Sequence, residues 1–167
     1  MLFRSEMKST GEVMGTGRTF GEAYAKAQSA SGVILPRKGV CFISVRDRDK
    51  PGAVELAKNL IERGFEVLAT EGTAGALAEA GVACRRVNKV REGRPHIVDM
   101  MLSEGVQLVF NTTEGAQAIS DSFGLRRTAL TNNIPYYTTV AGARAAVQAI
   151  AALKSGGLEV ATLQSYF

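Results

Sequence analysis

The 167-residue chain is long enough for one domain with a real core, and its make-up, 46% hydrophobic and 22% charged, is ordinary globular usage. A net charge of +4 is only mildly basic, and with scattered basic residues and 7% aromatics it lacks the Lys/Arg stripe of a nucleic-acid binder; a pocket for a small anion or a solvated surface remain. No apolar run approaches the ~20 residues that span a bilayer, and the opening MLFRSEMKST lacks the apolar stretch of a secretory leader, so neither a membrane nor a nucleic acid is an expected partner.

Residues 1–38 differ from the rest: STGEVMGTGRTFGEAYAKAQSASG is rich in Gly and Ser and holds one helical stretch near 19–30, with Phe20, Tyr24 and Ala27 on one side and no partner within its own segment. Pro36-Arg37-Lys38-Gly39 reads as a linker. From Gly39 a regular alternation begins. A continuous apolar strand is expected at 40–45, then an amphipathic helix at 51–63, where Val54, Ala57, Leu60 and Ile61 repeat at helical spacing, Pro51 suits the first turn and Gly64 ends it. A second strand follows at 65–69, a short alanine-rich helix at 73–80 stopped by Gly81, and a third strand at 82–87. Residues 96–103 read as helix, 107–110 as a fourth strand, 120–132 as helix, 134–138 as a short fifth strand and 140–154 as a long helix broken by Gly156-Gly157. The tail from 158 to 167 reads as extended. Five alternations of strand and helix predict a three-layer α/β/α domain on a parallel sheet covered on both faces.

In such sheets ligands bind beyond the carboxyl ends of the strands, where strand order reverses. The loops at that edge carry Ser44-Val45-Arg46 with Lys50 opening the next helix, Thr70-Glu71-Gly72-Thr73 at a second helix start, Asn88 to His96 after the third strand, and Asn111-Thr112-Thr113 after the fourth. Helix N-termini present free N–H groups and partial positive charge, which suits an anion. Thr70 and Thr73 add hydroxyls, Gly72 permits close approach, and Lys50 and Lys89 add two ammonium charges, so the set describes a phosphate cradle. Asn111 and Thr113 lie where a ribose or base could sit, and Asp121 could accept from ribose hydroxyls. Taken singly, Thr70 or Thr73 is better read as a helix cap, Asn111 and Thr113 as turn residues and Lys50 as solvated surface. Their joint placement on one edge favours the site.

Other signals fail. Gly15-Thr16-Gly17 has no preceding strand and no third glycine at the required spacing, so it is not a dinucleotide fingerprint. There is no GxxxxGK[ST] and no GxSxG elbow. Cys41 and Cys84 form no CxxC and read as buried, reduced thiols, and with His96 as the single histidine no metal site is expected. His96 reads as structural, since no partner is identified for it in the sequence.

The run STGEVMGTGRTFGEAYAKAQ at 9–28 resembles the end of the second ATP-grasp unit of carbamoyl-phosphate synthetase large subunits. ISVRDRDK at 43–50, ATEGTA at 69–74, VNKVREGRPHIVD at 87–99, NTTEGAQAISDSFGLRR at 111–127 and PYYTTVAGARA at 135–145 resemble the regulatory domain that closes those subunits. The resemblance covers essentially the whole chain. It implies the fold of methylglyoxal synthase, a five-stranded parallel sheet flanked by helices, at 39–167, with 1–38 as the stub of the preceding unit. It implies a pocket for UMP, an inhibitor, or IMP, an activator. Lys50, Thr70, Thr73 and Lys89 fall on the family's phosphate contacts, Ser44, Asn111, Thr113 and Asp121 on further contacts, and Val90 and Ile97 on positions lining the base.

The resemblance also implies a cytoplasmic regulatory part of a ligase serving pyrimidine and arginine biosynthesis, with no catalytic residue and no cofactor of its own. MgATP would belong to the missing ATP-grasp domains, and a glutaminase small subunit would supply ammonia; none of that fits in 167 residues. The helix near 19–30 would then pack on the missing domain, or on a second copy. Two departures stand out. Where some members carry an Asp-Thr pair in the ornithine site, this chain has Tyr137-Thr138, so the carboxylate for ornithine's amine is absent. Where methylglyoxal synthase needs an aspartate after the third strand, this chain has Arg94 in that neighbourhood. The alternatives are an oligomerisation module of the same subunit and, disfavoured by that missing aspartate, a lyase resembling methylglyoxal synthase.

Overall fold

A computed structural model describes residues 13–103, 105–112, 122–156, 158 and 162–166. Helix α1 (Phe20–Ala30) starts at Thr19, whose hydroxyl accepts from the Glu22 amide at 3.2 Å. Strand β1 (Gly39–Ser44) leads through a short 3-10 turn (Asp47–Asp49) into α2 (Lys50–Glu62), with Pro51 in its first turn and Gly64 at φ 81° just past its end. Then come β2 (Phe65–Ala69), α3 (Glu71–Glu79), β3 (Arg85–Arg86), α4 (Ile97–Ser103), β4 (Val106–Asn111), α5 (Phe123–Thr131), β5 (Tyr136–Tyr137) and α6 (Val140–Ser155). The five strands form one sheet in the order β3-β2-β1-β4-β5, and every pair is parallel.

The continuous apolar strands feed two cores because successive side chains point to opposite faces. Cys41, Ile43, Val67, Ala69, Leu108 and Phe110 pack with α2, α3 and α6 on one face. Phe42, Leu68 and Val109 pack with Met100, Met101, Leu125 and Ala129 of α4 and α5 on the other. The expected three-layer architecture is therefore present. The chain moves outward from β1 to β2 and β3, then returns to β4 on the far side of β1. The reversal point is the β1–β4 seam, where Ser44 and Asn111 are register partners at the carboxyl ends.

Several elements differ from the sequence expectation. The third strand shrinks from 82–87 to Arg85–Arg86, an exposed edge pair with one neighbour; the Val87 amide still donates to the Ala69 carbonyl of β2 at 3.0 Å, while Val82 is buried outside the strand. Cys84 lies outside that strand and is only half-buried, unlike Cys41. The fifth strand narrows from 134–138 to Tyr136–Tyr137, since Pro135 offers a carbonyl to the Val109 amide at 2.9 Å but has no N–H of its own to give. The tail is not wholly extended: Leu163–Tyr166 forms a short 3-10 turn. Residues 120 and 121 of the expected helix lie outside the described residues.

The largest correction concerns α1, which packs on α6 of the same chain. Ala25 is buried in the core shared with α6, and a Cβ added at Gly21 would lie 2.6 Å from the Gln148 carbonyl, so the two helix backbones approach closely. The sequence offers no partner because the partner is more than a hundred residues downstream.

Candidate functional site

The candidate site is built at the β1 and β2 carboxyl ends. The Ser44 and Thr70 hydroxyls meet at 3.1 Å across the β1–β2 seam. Thr73, in the first turn of α3, accepts from the Val45 amide at 3.1 Å and ties the loop after β1 to α3. Thr112, just past β4, accepts from the Arg46 amide at 3.2 Å and ties the same loop to the other side of the seam. Two threonine hydroxyls thus hold the loop that follows β1, and a third, on Thr70, meets Ser44 at its base.

Thr70 occupies the N-cap position of α3, yet its side chain makes no cap bond. Its hydroxyl is turned to Ser44 instead. The Thr73 and Ala74 amides turn back to the Thr70 carbonyl at 2.9 and 2.7 Å, which leaves the Glu71 and Gly72 amides, with no bond to the described residues, as the outward donors at the positive end of α3. A Cβ placed on Gly72 would sit 3.9 Å from the Lys50 ammonium nitrogen, so Lys50 stands over the start of α3. An ammonium over a helix N-terminus puts like charges together, an arrangement that an anion between them would relieve. Lys50 also pairs with the exposed Asp47 at 2.8 Å, and that pair holds the Asp47 carboxyl below the usual carboxylate range. A surface pair of this kind is worth little and yields readily to a better anion.

Beneath Lys50 the turn is braced by Arg46, whose Nε donates to Asp49 at 2.7 Å. Burial pushes the Asp49 carboxyl upward, but hydrogen bonds from Thr112 and Arg46 and the charges of Arg46 and Arg48 outweigh it and hold that carboxyl below its ordinary value. Asn111 is 4% exposed at the end of β4 and donates from Nδ2 to the Tyr136 hydroxyl at 2.6 Å. Its Oδ1 makes no hydrogen bond to the described residues and can accept from another partner.

The remaining expected residues are placed differently. Lys89 follows β3, with its amide donating to Glu92 at 2.8 Å and its side chain exposed; no hydrogen bond or ion pair among the described residues joins it to Lys50, Thr70 or Thr73. Val90 is 39% exposed on the 3-10 turn Val90–Glu92, whereas Ile97 is buried in the core with Phe42, Leu68 and Val87. Thr113 and Asp121 lie outside the described residues. Tyr137 ends β5, the edge strand on the far side from β3, and Thr138 follows it; Thr138 is exposed and Tyr137 half-buried with its hydroxyl donating to Gln28 Oε1 at 2.8 Å.

Asp99 is a neighbour that the sequence does not single out. His96, 8% exposed, exchanges bonds with Asp99: its amide donates to Oδ2 at 3.1 Å, and the Asp99 amide donates to Nδ1 at 3.3 Å. This reciprocal cap starts α4 and gives His96 the structural role expected of it. The three-residue spacing from His96 to Asp99 is the available signal. Arg94 is exposed and stands 3.7 Å from Asp99. A groove of about 910 Å³ lies elsewhere, lined by α1, α2 and α6 residues including Phe20, Asn59, Arg63, Arg144 and Lys154, away from the strand carboxyl ends. Among the described residues no cluster of three metal-ligating side chains occurs and no helix is long and apolar enough to cross a membrane.

Comparison with known proteins adds two findings. A family model described as an MGS-like domain matches residues 52–138. Along its whole length the chain is 56% identical to the carbamoyl phosphate synthase large chain of Mesorhizobium japonicum, covering 100% of this chain and 14% of that protein. Identity is 53% with the large chain of Rhizobium meliloti (99% and 14% covered) and 55% with that of Pseudomonas putida (87% and 14% covered). The chain thus spans about 14% of the length of the curated relatives it matches.

Proposed function

The chain belongs to the MGS-like domain family, and from that membership we propose that it is the nucleotide-effector domain of a carbamoyl phosphate synthase large chain, with no catalysis of its own. One observation carries the reading: the Lys50 ammonium stands over an α3 start that Thr70 does not cap, beside the paired Ser44 and Thr70 hydroxyls, at the β1 and β2 ends next to the sheet's reversal point. That combination suits the phosphate of a nucleoside monophosphate such as UMP or IMP. Thr73, 1% exposed and bonded to the Val45 amide, supports the cradle from beneath. Lys89 closes on the phosphate from the loop after β3. Asn111, with Thr113 and Asp121, meets ribose and base, and Val90 and the core around Ile97 border the base.

In this reading residues 1–38 are the end of a preceding ATP-grasp unit and 39–167 the regulatory domain. The other domains of the subunit, with MgATP and a glutaminase small subunit, perform the ligase chemistry in the cytoplasm for pyrimidine and arginine biosynthesis. An effector can shift that chemistry only through different affinities for two states of the subunit, with coupling of roughly 1–3 kcal/mol. Tyr137 has no carboxylate to offer an ornithine amine, and its hydroxyl is engaged by Gln28.

The test is calorimetric titration of this chain with UMP and IMP, with inorganic phosphate alongside. Saturable nucleotide binding that weakens at least tenfold in Lys50→Ala is expected. Binding unaffected by that change would remove the phosphate assignment, and no binding by either nucleotide would remove the effector reading for this chain. The same preparation assayed with dihydroxyacetone phosphate is expected to show no turnover; turnover would restore the lyase alternative. A concentration-dependent dimer without nucleotide binding would favour the oligomerisation module.

A further inference from the structure

Strand β5 has two residues, both tyrosines, and they face opposite sides of the sheet. Tyr136 packs with the α4–α5 core and Tyr137 with the α1–α2–α6 core. Each holds one end of a different connection. The Tyr136 hydroxyl accepts from Asn111 Nδ2 at 2.6 Å, and the Arg126 guanidinium lies 5.8 Å from its ring centroid. The Tyr137 hydroxyl donates to Gln28 Oε1 at 2.8 Å, in the last turn of α1, and its ring meets Phe110 edge-on at 5.9 Å. Phe110 and Asn111 are consecutive on β4, and Phe110 is Tyr137's register partner.

We infer that Tyr136 and Tyr137 are positioning residues that couple the state of Asn111 at the candidate site to the seating of helix α1 on the opposite face. The inference rests on the effector reading for its purpose, but the coupling itself does not require it. Asn111 is nearly buried, so a change in its bonding shifts the Tyr136 hydroxyl rather than being absorbed by solvent. Tyr137 is the next residue of the same short strand and moves with it. Gln28 transmits that movement to α1, which is docked tightly at Gly21 against Gln148. Burial pushes the Tyr137 phenol well above its ordinary value, so it stays a neutral donor to Gln28 at neutral pH. Helix α1 belongs to the segment assigned to the preceding unit, so a device that reseats it would report the site's occupancy outside the sheet.

Coupling of this kind is demonstrated by non-additivity. Amide hydrogen exchange of α1 is measured on the full chain in the wild type, Asn111→Ala, Tyr137→Phe and the double variant, with α2 as internal reference and without ligand. Asn111→Ala is expected to speed exchange across the second half of α1 about threefold or more relative to α2, and to add nothing once the Tyr137 hydroxyl is gone. Gln28→Ala, which cuts the same link from the other side, is expected to suppress the Asn111 effect equally. A general loss of stability would move α1 and α2 together. An α1 response that is absent, or the same with and without the Tyr137 hydroxyl, overturns the inference. A parallel series with saturating UMP separates the two readings: if UMP does not bind, the effector reading fails while the ligand-free cycle still decides the coupling.

Discussion

The two sides of the candidate site are built differently. On the β1–β2 side, Ser44, Thr70 and Thr73 are bonded to one another or to the loop backbone, Thr70 and Thr73 are almost fully buried, and Lys50 is held over a helix start. On the side after β3, Lys89 and Val90 are exposed on a loop closed at its base by the Asn88–His96 bridge and the His96–Asp99 cap. The first side is preorganised, so binding there costs little ordering. The second has room to adapt. On the proposed reading, Lys50, Thr70 and Thr73 would hold a phosphate from the rigid side, while Lys89 would reach it, and Val90 the base, from the adjustable one.

Substitutions on the two sides should therefore differ in kind. The largest effect on stability is expected for Thr73→Val, which leaves the half-buried Val45 amide without its acceptor at a cost of about 1 kcal/mol or more; thermal unfolding of the variant checks it. An unfolding curve matching the wild type would show that the loop after β1 is not held by Thr73. Next comes Lys50→Ala, expected to weaken nucleotide binding about 10- to 100-fold while leaving stability nearly unchanged, because its pair with exposed Asp47 is worth little. Lys89→Ala should cost less, about two- to fivefold in the same titration, since an exposed ammonium is already well solvated. A larger loss at Lys89 than at Lys50 would reverse the assignment of rigid and adaptable sides.

The smallest effect concerns Asp49. Its carboxyl is held below the ordinary value of 3.8 in the folded chain, so between the folded and ordinary values the unfolded chain binds more protons and stability rises with pH. The wild type should exceed Asp49→Asn in stability at pH 7, and the gap should close as the pH falls below 3.8 through the folded value. Parallel denaturant titrations from pH 7 to about pH 3 measure it. A gap that does not change with pH would assign the Asp49 contribution to packing or neutral hydrogen bonding.

The parts of this architecture that can be read from sequence are those with local causes. Apolar runs followed by Pro51 or by Thr70-Glu71-Gly72 announce a strand and then a helix start, so the strand order in the chain and the Lys50, Thr70 and Thr73 positions follow from spacing alone. The partners of those residues do not. Thr70 is at a cap position by sequence, but its hydroxyl turns to Ser44, a residue 26 positions away that only the sheet brings near. Tyr136 meets Asn111, and Gln28 meets Tyr137, across separations of 25 and 109 residues. The third strand is shorter than its sequence suggests: only Arg85–Arg86 pair with β2, while Val82, though apolar and buried, lies outside the strand. Helix α1 reads as unpartnered because the face it buries on α6 is made of Gly21 and Ala25 rather than of Phe20, which stays 60% exposed, and because α6 lies at the other end of the chain.

The most direct test of the central claim locates the phosphate. Backbone amide shifts would be followed by NMR while the chain is titrated with UMP, and separately with uridine. Saturable, phosphate-dependent shifts centred on Glu71, Gly72 and Thr73 at the start of α3, absent with uridine, are the predicted result. Shifts confined to the α1–α2–α6 groove around Arg63 and Arg144, or equal shifts with uridine, would contradict a phosphate cradle at the β1 and β2 strand ends.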